Sequence, residues 1–113
     1  MKKVLLAQFT VAPSGAEVVR QLVVEYAQAV RAEKGNRLFA PSTRADNPHA
    51  YVVFEEYDDE QAFGAHLATA HCAAFNAAVS PWIEGGVTTL IDLVDLESAN
   101  GAEAETPPAD SSP

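Results

Sequence analysis

Residues 16 to 33 constrain the fold most. Val19, Leu22, Val23, Tyr26, Ala27 and Val30 recur at helical spacing and form one apolar stripe. Such a stripe marks an amphipathic helix that must be buried against another layer. Ser14 and Glu17, just after Pro13, stand at capping-box spacing, and Gly35 supplies a stop, so the helix is expected to run to about Glu33. The segments around it change to a period of two. In residues 3 to 11, Leu5, Ala7, Phe9 and Val11 share one face, and Leu6, Gln8 and Thr10 the other. Residues 37 to 44 read as a weak strand whose Pro41 removes a ladder donor, which places it at a sheet edge or at a bulge.

After a turn at 45 to 48, residues 51 to 57 alternate again, with Tyr51, Val53, Glu55 and Tyr57 on one face. Asp58 and Gln61 repeat the capping spacing and open a helix that carries Phe63, His66, Leu67 and Ala70 on one side. A second run sets His71, Ala74, Phe75, Ala78 and Val79 on one face before Pro81 stops it. Gly85 and Gly86 break the chain, and residues 87 to 96 read as a long final strand. The order is strand, helix, strand, strand, helix pair, strand. This is the α+β, ferredoxin-like βαββαβ arrangement with an antiparallel sheet.

The chain of 113 residues suffices for one small domain, residues 1–97. Residues 98–113 are an acidic Ala/Pro/Ser tail with almost nothing to bury, expected to be disordered. A core this small makes a homodimer a reasonable expectation. The net charge of -9 argues against nucleic acid and against an anionic membrane as partners. Lone Cys72 cannot form an internal disulfide, which fits the cytoplasm. Met1-Lys2-Lys3 before an apolar run imitates a signal peptide, but the run is short, alternates with Gln8 and Thr10, and lacks a clear cleavage site.

Chemistry concentrates in residues 51 to 82, which hold two of the three histidines, the only cysteine, the only tryptophan and six of the nine aromatic residues. Each of the two helices there carries a histidine on its apolar side, and polar groups in such places find partners or line a cavity. The candidate group is Gln8, Asn36, Glu55, Tyr57, His66, His71, Phe75 and Trp82. Histidine serves as a base near neutral pH, a carboxylate can orient it, and aromatic rings suit a flat apolar substrate. Each has a plainer reading too. A helix-face histidine can simply bond a carbonyl, Glu55 can pair with Arg37 or Arg44, and Phe75, Trp82 and Cys72 can be core. No metal site is expected. His66 and His71 are five apart and would diverge on a single helix, and no third residue stands at recognised zinc spacing. Gly85-Gly86 lacks the context of a phosphate loop, so no flavin or nucleotide is indicated.

The sequence also resembles a known family. Glu55, Tyr57, Glu60, Ala62, His66, Thr69, His71 and Phe75 follow the order of the antibiotic biosynthesis monooxygenase (ABM) family. There an E-x-W strand end precedes a helix S-x-E-A-x-x-x-H, a threonine and a second histidine. Glu33 to Asn36 is similar to that family's E-x-G-N step, and the match spans roughly residues 3 to 96. Tyr57 stands where tryptophan is more usual. The resemblance implies a dimeric α/β barrel, made by two sheets packed face to face, with a pocket between each sheet and its helices. It further implies oxidation of a small quinol or phenolic, polyketide-like compound by O2 without flavin, metal or haem. His66 would be the leading base and His71 the second, Glu55 would orient a histidine, and Asn36 would bind substrate. Relatives that bind or degrade haem carry an asparagine on the first strand and a tryptophan on the third, where Gln8 and Tyr57 stand here. Isomerisation of a small carbonyl compound and non-enzymatic ligand binding are the other readings.

Overall fold

The computed structural model describes residues 1–97. The expected tail, 98–113, lies outside them. Four strands and three helices follow in the order β1 (Lys3–Thr10), α1 (Ala16–Arg31), β2 (Asn36–Arg44), β3 (Asn47–Tyr57), α2 (Glu60–Leu67), α3 (Ala70–Val79) and β4 (Thr89–Leu93). They form one antiparallel sheet of order β2-β3-β1-β4, the ferredoxin-like topology. Among the described residues no helix is long and apolar enough to cross a membrane.

The stripe on α1 buries Val19, Val23, Ala27 and Val30 against the sheet. Each buried valine contributes about 1.5–3 kcal/mol relative to exposure. Leu22 and Tyr26 pack at the margin of the same core, where Phe9 stacks on Tyr51 at 4.9 Å between ring centroids. β2 lies at the sheet edge, as Pro41 requires, and its pairing with β3 slips at Asn36/Leu38 and at Thr43/Arg44.

Several local expectations shift. The capping box at Ser14 and Glu17 does not form. Pro13–Gly15 make a 3-10 turn instead, and Gly15 caps α1 without a side-chain bond. Gly15 is needed there because a Cβ would stand 2.6 Å from the Trp82 ring. The cap of α2 is Asp59 rather than Asp58: its carboxylate accepts from the Ala62 N–H at 2.8 Å. β4 covers five residues, not ten; among the described residues it pairs with β1 alone, at the sheet's second edge, and all five of its residues are exposed. Gly85 and Gly86, both at φ 75°, turn the chain into it, a conformation that favours glycine.

Candidate active site

One face of the sheet is covered by helices, and between the two layers lies a cavity of about 260 Å³. Leu5, Ala7 and Phe9 of β1, Phe39 of β2 and Val53 and Glu55 of β3 form its floor. Tyr26 of α1, Phe63 and His66 of α2, and Cys72, Phe75 and Asn76 of α3 form its roof. The walls are mostly hydrocarbon and aromatic, with few polar groups, as small-molecule sites usually are.

The polar groups are tightly held. His66 sits at the end of α2 with its side chain 5% exposed. Its Nδ1 lies 3.1 and 2.9 Å from the two oxygens of Glu33, which follows the C-terminus of α1. His71, in the first turn of α3, places Nε2 2.6 Å from Glu33 Oε2. A carboxylate accepts, so each ring faces Glu33 with an N–H. For a neutral His66 that leaves Nε2 as the acceptor, and it receives the Tyr26 hydroxyl at 3.3 Å. Burial, and then the neighbouring Cys72 thiol, push the Tyr26 phenol far above its ordinary value, so it remains a donor. Tyr26 itself is clamped by Phe75, stacked at 4.0 Å and nearly parallel.

The two histidines converge because they are on separate helices. α2 ends at Leu67, and Thr69 begins α3 by accepting from the Cys72 N–H. The Thr69 hydroxyl also donates to the His66 carbonyl at 2.7 Å, pinning the joint. The divergence expected of two residues five apart on one helix therefore does not arise. The shared partner, Glu33, is far away in sequence. Sequence reasoning does not single it out, although the E-x-G-N step held the signal.

Glu55 faces the cavity and is 6% exposed. It accepts from the Tyr57 hydroxyl at 2.7 Å. Burial raises its pKa above the ordinary value of 4.5, opposed by that hydrogen bond and by His66. The carboxylate that holds the histidines is thus Glu33, and Glu55 is held by Tyr57. The alternative pairing of Glu55 with arginine does not form: Arg37 meets Asp58 and Arg44 meets Asp46. Tyr57 is fully buried behind Glu55, with its ring 5.0 Å from His66 and 5.2 Å from Phe63.

Of the sequence-derived set, His66, Glu55 and Phe75 line the cavity, and His71 and Tyr57 support it from behind. Gln8, Asn36 and Trp82 lie elsewhere. Gln8 is exposed on the other sheet face, since side chains alternate along β1. Asn36 spends its amide on the Leu38 and Glu56 carbonyls at the β2–β3 slip. Trp82 packs on the core beside Gly15. Tyr26 and Asn76 are additions from the structure: both read in sequence as ordinary helix residues.

The sequence profile of antibiotic biosynthesis monooxygenases matches residues 4–78. The chain belongs to this family. Solved structures agree in fold. Rv0793 of Mycobacterium tuberculosis superposes with a TM-score of 0.80 at 24% identity, over 88% of this chain and all (100%) of that one. PA3566 of Pseudomonas aeruginosa gives 0.78 at 22% identity, over 85% of this chain and 95% of that one. A Nitrosomonas europaea protein bearing the same family name gives 0.79 at 22%, over 84% and 90%. At these identities the likeness carries the fold alone. A comparison with curated proteins finds no match.

Proposed function

We propose that the chain is a cofactor-independent monooxygenase acting on a small quinol or phenolic compound with O2. One observation carries this reading. Glu33 holds His66 through Nδ1 and leaves Nε2 as an acceptor at the wall of an apolar cavity. A substrate hydroxyl taking the place of the Tyr26 hydroxyl would lose its proton to Nε2. The resulting phenolate is electron-rich enough to pass one electron to dioxygen. Recombination at a ring carbon gives a hydroperoxide. His66 returns its proton to the peroxide oxygen; the ring carbon then gives up its hydrogen as the O–O bond breaks, which leaves one oxygen atom on the substrate as a carbonyl and the other in water. Tyr26 and Asn76 would donate to the oxyanion, and the apolar walls would strengthen both bonds by excluding water.

The cavity's size favours one or two aromatic rings. A benzene fills a cavity of about 150 Å³, and 260 Å³ is small for a tetrapyrrole. With Gln8 on the opposite face, this volume argues for a phenolic substrate over haem.

A second copy belongs to the same reading. The face of the sheet away from the helices exposes Leu38, Phe54, Ile91 and Leu93, brought side by side by the strand register. A face-to-face homodimer would cover them, as the family resemblance implies.

Oxygen uptake against a panel of quinols tests the activity. His66→Ala is expected to lose about 100- to 10,000-fold in rate, with the fold intact by circular dichroism, and His71→Ala to lose less. Wild-type turnover by folded His66→Ala refutes the base assignment. Ligand binding with no oxygen consumption favours carbonyl isomerisation or simple sequestration.

A further inference from the structure

Glu33, His66 and His71 come from three different helices or helix ends. They bring one carboxylate oxygen and two imidazole nitrogens within 4.8 Å of one another. We propose that these three residues form a binding site for a divalent transition-metal ion, zinc foremost, seated behind the cavity wall.

Two imidazoles and a carboxylate are the donor set of open zinc sites, which keep a fourth position for water. With metal–ligand bonds of about 2.0–2.1 Å, neighbouring donors of a tetrahedral site stand roughly 3.3 Å apart. Here His66 Nδ1 and His71 Nε2 are 2.9 and 2.6 Å from the same Glu33 oxygen. An outward shift of Glu33 by less than about an ångström opens those two spacings, and the two imidazole nitrogens, the widest pair of the three donors at up to 4.8 Å, close by up to about 1.5 Å as the exposed His71 ring swings toward His66. The ion would replace the protons now shared along those two contacts. The surroundings are those of a ligating histidine, whose second nitrogen normally has its own hydrogen-bond partner. His66 Nε2 has the Tyr26 hydroxyl, and the Thr69 bond to the His66 carbonyl fixes the joint that aims both rings. The His71 side chain is 33% exposed, which gives the ion a way in from solvent. Neither Glu33 nor His71 lines the cavity, so the ion would not touch substrate.

The consequence for catalysis rests on the base reading above. A neutral imidazole with metal on Nδ1 carries its proton on Nε2. His66 would then donate to the Tyr26 oxygen and could no longer accept a proton from substrate. Zinc would be an inhibitor that does not compete with quinol for the cavity.

The test uses the untagged full-length chain. It is titrated with Co2+, followed by visible absorption, and with Zn2+, followed by calorimetry, both without substrate. One ion per chain is expected. Glu33→Ala and His71→Ala should each weaken binding by more than the roughly 10- to 100-fold that loss of an outer-shell partner costs. His49→Gln, which removes the histidine outside the cluster, should change nothing. If Glu33→Ala does not fold, His71→Ala decides, since its ring is the more exposed. No Co2+ uptake at roughly millimolar concentration, or uptake that survives both substitutions, overturns the site. A chain that binds Co2+ but oxidises no quinol removes the base reading and leaves the metal site standing. Zinc bound at these residues without slowing quinol oxidation removes the inhibitory consequence.

Discussion

Removing the Glu33 carboxylate should destabilise the fold by an amount the geometry sets. In Glu33→Ala, His66, whose side chain is only 5% exposed in the parent, loses the acceptor for Nδ1–H. A buried donor without a partner costs about 1–3 kcal/mol. His71 loses the same partner, but at 33% exposure water can replace it, so its share is a few tenths at most. Glu33 lies just beyond the C-terminus of α1, where a negative charge opposes the helix dipole. Deleting it returns about 0.3–1 kcal/mol. The buried imidazole outweighs this, leaving a net loss of roughly 1–2 kcal/mol. For a domain of this size that lowers Tm by roughly 5–15 °C. Thermal melts followed by circular dichroism give the first number, and a double-mutant cycle gives the cause. In a His66→Phe background the orphaned donor is gone, so Glu33→Ala should cost close to nothing or become mildly stabilising. An equal cost in both backgrounds would mean that Glu33 acts through its helix end or through packing, and not by holding His66.

Three further outcomes follow from other parts of the structure. Gly15→Ala sets a methyl 2.6 Å from the Trp82 ring and should cost about 1–3 kcal/mol of overpacking; an unchanged urea midpoint would contradict the close approach. Burial holds the Glu55 pKa above its unfolded value, so the buried carboxyl is tolerated below the ordinary carboxylate range and costs stability as pH rises through the folded value. Glu55→Gln should therefore melt above the parent near pH 8 and lose that advantage in acid, and a difference independent of pH would count against it. Phe54→Asp together with Ile91→Asp should yield a monomer by light scattering where the parent is a dimer, because both side chains lie on the open sheet face; a monomeric parent sinks the proposed assembly.

The sequence by itself determined the element order, the sheet edge at Pro41, the apolar stripe of α1 and the family. These depend on the period of apolar residues and on local turn chemistry, which are properties of neighbours along the chain. Glu55 and His66 were legible as cavity groups for the same reason, each being a polar residue on an otherwise apolar face. Tertiary structure alone decided which carboxylate serves which partner. Glu33 reaches His66 and His71 across separations of 33 and 38 residues, and Glu55 turns instead to Tyr57, two residues away. It also decided that Gln8 points away from the cavity, that Trp82 belongs to the packing around Gly15, and that Tyr26 and Asn76 belong to the site. Hydrogen-bond partners are chosen by distance and direction to within a few tenths of an ångström, and the one-dimensional pattern carries no such information. It records that a buried histidine needs an acceptor; only the packing of three helices against one sheet selects which.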